Sequence, residues 1–282
     1  MKKLVKILNL SYDPQKIIGR LMKFIIAACL GFLPIFSEAT IIETRTIEHI
    51  LPVIDEDTWV VVDLDNTTFE GKQALGHTAW FYDKAYAMMR EDGITLDEAT
   101  RKCYPEWIEI QKICPVKHLE EAFISSLIDL QKRGIVVMAL THRQPSLAEA
   151  TLRQLNSLGL DFHGSAPAKH SFSVPSETPT LYTQGVLFTG EFNKKGEIFV
   201  YFLSIINHKP KKVVFIDDKR SHVEEVKAAL SKLGIDYIGF HYTATQHVEK
   251  VYDPEVAEFQ RKYINTIMSN EAAALLMKHG IE

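Results

Sequence analysis

The chain is poor in cysteine, has little net charge and contains no long apolar run. Its 282 residues include three cysteines and 11 histidines, and neither residue type occurs in a spacing typical of a zinc site. The formal net charge of −4 argues against nucleic-acid binding, which favours a strongly basic domain. We find no internal repeat and no low-complexity tract. The hydrophobic content of 46% is ordinary for a globular protein, and the length suits one α/β domain with or without a small insert.

The most apolar stretch, residues 24–36, lies near the N-terminus. It is shorter than the roughly 20 residues that a transmembrane helix needs. Lys23 precedes it, and residues 37–39 follow it with the small-x-small pattern that signal peptidase accepts. We therefore predict that residues 1–39 are a cleaved signal peptide. The mature protein would be exported, to the periplasm or outside the cell, and would keep no stable membrane span.

Other interpretations of this N-terminal segment stay open. A start at Met22 would give a shorter charged region before the apolar run, as is usual in signal peptides. The apolar run could instead stay attached as an anchoring helix, or residues 26–29 could be a lipoprotein cleavage box that ends in Cys29. Without residues 1–39 the remaining chain is more acidic still, which argues further against a polyanionic partner.

Two carboxylates stand directly after a short β-branched run. Residues 59–62 predict a buried parallel strand, and Asp63 and Asp65 follow it one residue apart. Because side chains alternate along an extended chain, both carboxylates can project to the same side. The carboxyl ends of parallel strands are where open α/β sheets bind their ligands. We therefore expect a site here that suits a divalent cation and a nucleophile.

Two later strand patterns also end in polar residues. Residues 136–140 predict a second buried strand that leads into Thr141. Residues 213–216 predict a third, which leads into Asp217 and Asp218. If all three strands are parallel neighbours, these polar side chains lie at one edge of the sheet.

Between the second and third strands, Lys194 and Lys195 precede Gly196 and a predicted helix. This order of motifs resembles the haloacid dehalogenase (HAD) superfamily. It consists of a strand ending in DxDxT, a strand ending in Thr, a lysine 22 residues before Asp217 and a strand ending in Asp-Asp. The resemblance covers roughly residues 58–240. The export signal, the acidic body and a helical insert also resemble a poorly characterised family of exported HAD-like proteins in intracellular bacterial pathogens.

The resemblance implies roles for the first of these residues. Asp63 would be the nucleophile that attacks phosphorus and forms an aspartyl-phosphate. Asp65 would be the general acid and base, and its backbone carbonyl would be a metal ligand. An Asp at this second position favours phosphatase or phosphotransferase chemistry over ion pumping or dehalogenation. Thr141 and Lys195 would hold the phosphoryl oxygens, with Lys194 as the competing cation.

The resemblance also implies a magnesium site. Asp217 and Asp218 would complete it with Asp63, and Asp218 is the stronger ligand candidate. Taken alone, an Asp-Asp pair after a strand would more often cap a helix. His142 and Arg143 follow the predicted phosphate-binding threonine directly and could bind substrate, or could be solvated.

The alternation of strands and helices predicts an α/β fold, a doubly wound parallel sheet of the HAD-like, Rossmann type. After a lead-in segment with a short helix near residues 47–50, we predict strands at 58–64, 135–140, 186–189, 212–216 and 236–241. We predict one helix that ends before Gly93 and a second at 96–114 with an interruption at Pro105. Further helices are predicted at 116–133, 146–158, 196–207, 220–233 and 254–279.

The interval between the first two core strands is longer than one crossover needs. We predict a small helical cap at residues 72–115, with residues 40–71 and 116–282 as the HAD-like core domain; extra helices on the flank of the sheet are the alternative. Four cap residues could select the substrate or belong to its core: His77, Trp80, Tyr82 and Tyr86. Cys103 and Cys114 could pair in an oxidising compartment or be small core residues.

The sequence therefore predicts an exported Mg²⁺-dependent phosphatase. Its substrate would be a phosphomonoester, carried by a small molecule or by a protein, and the intermediate an aspartyl-phosphate. Two alternatives are a phosphotransferase that passes the same phosphoryl group to an alcohol, and a secreted effector or binding protein on the same fold. The residue pattern contains no code for one substrate or for an oligomeric state.

Overall fold

A computed structural model of the chain describes residues 40–247, 252–263 and 268–280. The predicted signal peptide, with its Met22 start and its cleavage site, lies outside these ranges. Within them, none of the helices combines the length and the apolar character that crossing a membrane requires.

Seven strands form the central sheet, in the order β1-β9-β8-β2-β5-β7-β6. All neighbouring strands in it run parallel except β6, which is antiparallel to β7. The predicted α/β fold with a doubly wound parallel sheet is therefore confirmed. The strands of this sheet are β1 (Thr40–Thr44), β2 (Thr58–Val62), β5 (Val136–Thr141), β6 (Leu181–Thr183), β7 (Val186–Phe188), β8 (Lys212–Asp217) and β9 (Asp236–Tyr242), and β3 (Phe69–Gly71) pairs with β4 (Val116–His118) in a separate ladder.

Helices cover both faces of the sheet, which explains why β2 is apolar at every position. Val60 and Val62 belong to one hydrophobic core with the helices α3 (Glu121–Lys132) and α4 (Ala148–Ser157). Trp59 and Val61 point the other way, into a core with α5 (Lys195–Ile205) and α6 (Arg220–Ser231). Burying each of these side chains contributes about 1.5–3 kcal/mol relative to leaving it exposed. This two-sided packing fixes the strand whose end carries Asp63.

The β3–β4 ladder encloses an inserted pair of helices. The chain leaves the core through β3, forms α1 (Thr78–Asp92) and α2 (Leu96–Ile113), and returns through β4. Gly93, in the left-handed region at φ 66°, ends α1, and a capping box of Thr95 and Glu98 begins α2. The ladder thus flanks the segment 72–115, in which the sequence predicts the cap.

The inserted helices share a hydrophobic cluster with the two last described helices, α7 (Pro254–Lys262) and α8 (Asn270–Lys278). Polar contacts join the same elements, because Gln260 Oε1 accepts from Leu75 N–H at 3.0 Å and Trp80 Nε1 donates to Glu258 Oε1 at 2.9 Å. The C-terminal segment therefore packs with the insertion, whereas the sequence places it in the core domain. The division into core and cap stays a prediction.

Several predicted elements differ from the structure. The lead-in segment contains β1, a half-exposed edge strand, and then a 3-10 turn at Ile47–His49. The helix predicted over 116–133 begins only at Glu121, because Val116 pairs with Gly71 in the ladder. The helix predicted over 254–279 is divided into α7 and α8. α2 is one continuous helix through Pro105.

Cys103 and Cys114 are free and buried in the insertion. Of the two interpretations left open by the sequence, the structure shows the small core residues.

Candidate active site and metal centre

The site lies at the carboxyl edge of the sheet, where three adjacent parallel strands end. β2 lies between β8 and β5, so the residues that follow or end these strands are neighbours. Asp63 directly follows β2, Thr141 ends β5 and Asp217 ends β8. The backbone N–H of Asp63 donates to Ile216 O at 2.9 Å, which continues the β2–β8 pairing to the site itself. The segments that carry the HAD resemblance thus meet at one place.

A tight turn after β2 joins Asp63 to the β8 end. Thr68 Oγ1 donates to the backbone carbonyl of Asp63 at 2.6 Å, and Thr67 Oγ1 accepts from the backbone N–H of Asp218 at 2.9 Å. Asn66 has a left-handed backbone at φ 60°, a conformation that Asn tolerates better than most residues. Both threonines are fully buried, so their hydroxyls hold the loop together and are not available to substrate.

Lys195 joins two of the acidic residues. Its ammonium is fully buried and donates to Asp63 Oδ1 at 2.6 Å and to Asp217 Oδ2 at 2.7 Å. Lys194 lies on the surface, with 68% of its side chain exposed, and pairs with Glu197. The structure therefore brings Lys195, and not Lys194, into the site.

Gly196 permits close packing behind Lys195. A Cβ added at Gly196 would lie 2.7 Å from the backbone oxygen of Glu225 on α6. The Gly196 N–H also donates to Glu225 Oε1 at 3.0 Å. The Lys-Gly pair thus seats the first turn of α5 against α6 and directs the lysine inward.

Asp63, Asp217 and Asp218 form a cluster of carboxylates. Each offers an oxygen, and these oxygens all lie within 4.8 Å of one another. Asp217 is the most engaged: it accepts from Lys195, from the Lys219 backbone N–H at 2.8 Å and from His222 Nδ1 at 3.1 Å. Among the residues that the structure describes, none donates a hydrogen bond to the Asp218 carboxylate.

The electrostatics of this cluster fit a divalent cation. Burial raises the pKa of Asp63 to about 6, against the opposing effect of Lys195 and with help from Asp217. Burial and the charges of Asp217 and Asp63 raise the pKa of Asp218 well above its usual range. Burial also acts to raise the pKa of Asp217, but Lys195 and His222 outweigh this effect and hold that pKa below its usual range. One lysine does not neutralise three carboxylates, and hard oxygen ligands are those that Mg²⁺ prefers.

Asp65 is held by Arg143 through a bidentate ion pair. Arg143 Nε donates to Asp65 Oδ2 at 2.7 Å and Nη2 donates to Asp65 Oδ1 at 2.8 Å. The guanidinium is buried and also donates to Gln111 of α2 and to Thr151 and Gln154 of α4. Its N–H groups donate to these protein acceptors, but Arg143 also lines the cavity, and its predicted contact with substrate stays a prediction.

His142 lines the cavity beside Arg143. Its ring centroid lies 4.5 Å from that of His222. Burial lowers its pKa well below the usual range, and within the described residues its buried Nε2 has no hydrogen-bond partner. A neutral imidazole with an unused nitrogen suits the predicted contact with substrate, which stays a prediction.

A cavity of about 70 Å³ lies above the carboxylates and opens to the solvent. The inserted helices supply aromatic side chains to it. Of the four cap residues considered from the sequence, Tyr82 lines the cavity, Trp80 is buried in the insertion, Tyr86 is exposed and His77 caps α1. The lining comprises Asp63, Asp65, Asn66, Thr78, Phe81, Tyr82, Tyr104, Trp107, Thr141, His142, Arg143, Glu191, Lys195, Asp218, Lys219 and His222.

Sequence reasoning missed three acidic, basic or imidazole side chains of this cavity. Lys219 and His222 follow the Asp-Asp pair within one helical turn, and that proximity could have indicated them. Glu191 lies in an irregular segment between β7 and α5, where no periodicity marks it. Only the folded chain shows that it faces the same cavity as Asp63.

The sequence matches a known protein family. The profile of the family described as "Protein of unknown function (DUF2608)" matches residues 43–274. The chain belongs to that family. The match includes all the site residues above, so they lie within the part of the chain that defines the DUF2608 family.

Relatives occur in Chlamydia species. A Chlamydia trachomatis protein is 34% identical over 254 residues, covering 88% of this chain and 95% of the relative. A Chlamydia pneumoniae protein is 33% identical over 240 residues, covering 84% and 90%. Both carry the name "Putative outer membrane protein".

Solved structures similar to this DUF2608 member include a HAD-like hydrolase from Streptococcus pneumoniae. That match has a TM-score of 0.39 at 11% identity and covers 64% of this chain and 93% of the hydrolase. A class C acid phosphatase from Bacillus anthracis gives a TM-score of 0.33 at 15% identity and covers 83% and 82%. The HAD resemblance rests on the strand order and on the converging segments.

Proposed function

We propose that this DUF2608 protein is an exported, Mg²⁺-dependent phosphatase that hydrolyses a phosphomonoester through an aspartyl-phosphate. The single observation that supports this most strongly is the cluster formed by Asp63, Asp217, Asp218 and Lys195 below a cavity lined by the inserted helices. The names of the chlamydial relatives support an exported location.

Asp63 is the nucleophile in this proposal. Lys195 occupies its Oδ1, and no described residue donates a hydrogen bond to its Oδ2. Oδ2 is therefore the oxygen that attacks phosphorus. Because Lys195 lies within bonding distance of the attacking carboxylate, it also reaches the phosphoryl oxygens and stabilises their charge in the transition state, together with Thr141.

Asp63 and Asp218 would hold the magnesium ion, with Asp217 supporting them. Mg²⁺ at this position supplies the positive charge that offsets repulsion between a carboxylate nucleophile and a phosphate. Asp217 keeps Lys195 and the Lys219 backbone in place through its own hydrogen bonds. This division leaves Asp218, whose carboxylate has no donor among the described residues, as the more available ligand.

Asp65 transfers the protons. It protonates the leaving alcohol, and then takes a proton from the water that hydrolyses the aspartyl-phosphate. Both of its oxygens accept from Arg143, so one of these two bonds opens when Asp65 receives a proton. Arg143 in turn contacts Gln111 of the insertion, which ties the proton-transfer step to the position of α2.

The test is turnover of a panel of phosphomonoesters by the full chain with Mg²⁺, beside Asp63→Asn. We expect free phosphate to be released without an added alcohol acceptor, and Asp63→Asn to lose at least about 10³-fold in kcat because it lacks the nucleophile. A phosphate label sensitive to hydroxylamine should appear on the parent and not on the variant.

Asp57→Asn is the matched control. Asp57 is an exposed carboxylate that pairs with Lys211 on the surface, and its replacement should leave turnover unchanged. Equal turnover by Asp63→Asn and the parent would contradict the proposal. A requirement for an alcohol acceptor would indicate a phosphotransferase.

A further inference from the structure

Within the part of the chain that the structure describes, the carboxylate of Glu191, a residue that lines the candidate cavity, has neither a hydrogen-bond donor nor an ion-pair partner. No described residue donates a hydrogen bond to it, and none places a Lys, Arg or His nitrogen within the 4.0 Å of an ion pair. Burial raises its pKa to about 6, so it is still mostly ionised at neutral pH. Glu191 is only partly buried, so a cationic group that enters the cavity can reach its carboxylate and form the ion pair that the described residues do not supply.

The main chain holds Glu191 in place. Thr189 N–H donates to Thr141 O at 2.8 Å, Gly190 N–H donates to Arg143 O at 3.3 Å, and Asn193 Nδ2 donates to Thr189 O at 2.6 Å. The loop that carries Glu191 is therefore fixed to the end of β5, beside the predicted phosphate site. The carboxylate faces the cavity because its neighbours are anchored.

A lysine is near Glu191 but is bound elsewhere. Lys219 Nζ donates to the hydroxyl of Tyr82 on α1 at 3.0 Å, and its charge lies 5.5 Å from the centre of the same ring. Lys219 therefore acts on Glu191 only through space. A second positive charge placed against Glu191 would complete an ion pair that Lys219 does not form.

Aromatic rings also line the cavity. Phe81 lies 5.1 Å from Trp107 and 6.1 Å from Tyr104, measured between ring centroids, and all three line the cavity. Burial and the neighbouring Glu191 raise the pKa of Tyr104, so its hydroxyl stays neutral. Ring faces attract cations, most strongly where water is excluded.

We propose that Glu191 binds an ammonium group on the alcohol part of the substrate, and that the substrate is the phosphomonoester of an amino alcohol. The inference rests on the proposed function, because it takes the phosphoryl group to lie on Asp63. An ammonium group would pair with Glu191 and contact the aromatic rings. A neutral alkyl group would leave the charge unpaired, and a hydroxyl would bond to Glu191 without neutralising it.

The test measures binding separately from turnover. Titration calorimetry of the full chain with Mg²⁺ compares 2-aminoethylphosphonate with ethylphosphonate, neither of which can be hydrolysed as a phosphate ester. The parent should bind the amino compound about 10- to 100-fold more tightly, as expected for a charged hydrogen bond. Glu191→Gln should reduce this preference to within about 2-fold while leaving ethylphosphonate binding unchanged.

Glu197→Gln is the matched control, because Glu197 is exposed and pairs with Lys194 away from the cavity. It should keep the full preference. Circular dichroism of Glu191→Gln checks that it folds. The proposal is overturned if the parent binds neither phosphonate, if it binds both equally, or if Glu191→Gln keeps the preference.

A turnover arm separates the two proposals. We expect kcat/KM to fall in the order 2-aminoethyl phosphate, 2-hydroxyethyl phosphate, ethyl phosphate. Equal rates for the first two would overturn the ammonium assignment. Selective phosphonate binding without turnover of any ester would contradict the phosphatase proposal but would still support the binding of an ammonium group by Glu191.

Discussion

Arg143 connects the loop after β2, which carries Asp65, to the helices α2 and α4. Its removal should weaken the attachment of this loop and the contact between these helices. Its buried guanidinium binds Asp65 through two bonds and reaches Gln111 on α2 as well as Thr151 and Gln154 on α4. We predict that Arg143→Met leaves Asp65 without its counter-ion and leaves three polar side chains without a donor. The variant should therefore lose stability and activity together.

The magnitude follows from the burial of the pair. Removing one partner of a buried ion pair costs about 3–5 kcal/mol, because the other charge stays behind unpaired. The Arg143 side chain is 3% exposed but that of Asp65 is 29% exposed, so Asp65 can regain water. We therefore expect a loss near the lower limit, about 3 kcal/mol, which corresponds to a Tm lower by about 6–12 °C for a domain of this size.

Urea unfolding followed by circular dichroism measures this loss, and turnover of a generic aryl phosphate measures the activity. Arg143→Lys keeps the charge but not the fork of two donors, so it should lie between the parent and Arg143→Met. Arg153→Met serves as the control, because it removes an exposed arginine of α4 whose side chain, among the described residues, donates only to the backbone carbonyl of Lys112. A free energy of unfolding for Arg143→Met within about 1 kcal/mol of that of the parent would show that the buried Arg143 guanidinium does not stabilise the fold as predicted.

Two further predictions concern buried charges. Lys195→Met leaves Asp63 and Asp217 facing each other and should lower the free energy of unfolding, measured in urea, by about 3–5 kcal/mol. Lys194→Met on the surface should change it by less than about 0.5 kcal/mol. Similar losses for both variants would contradict the placement of Lys195. Burial raises the pKa of Glu191 from 4.5 to about 6, so the folded state binds this proton more tightly than the unfolded state, and stability falls by about 2 kcal/mol as the pH rises through that window. Glu191→Gln should therefore raise Tm relative to the parent at pH 7.5 but not at pH 4, and an equal shift at both pH values would show that the charge is not the cause.

The sheet and the ends of its strands could be predicted because their signals are local. Residues 59–62, 136–140 and 213–216 are apolar at every position, as required for strands covered by helices on both faces. A carboxylate is costly to bury among apolar side chains, so Asp63 and Asp217 mark the points where the apolar packing of each strand ends. These signals place the carboxylates at one edge before any contact is known.

Other elements depend on partners that are distant in the sequence. β1 is half exposed at the edge of the sheet and lacks an apolar run, and Val116 forms a strand only because it pairs with Gly71. The pairing of Arg143 with Asp65 joins residues 78 positions apart. Glu191 reaches the cavity through a loop anchored by its neighbours. Such contacts follow from the tertiary fold and not from local patterns.

We propose that Asp63 and Asp218 share one divalent cation. Anomalous diffraction from crystals of the protein soaked with Mn²⁺, in place of Mg²⁺, tests it directly. We predict a single strong peak at the carboxyl edge of the sheet, between the carboxylate oxygens of Asp63 and Asp218, and its loss in Asp218→Asn. A peak at another position, or a peak that persists unchanged in Asp218→Asn, would show that Asp63 and Asp218 do not share the cation.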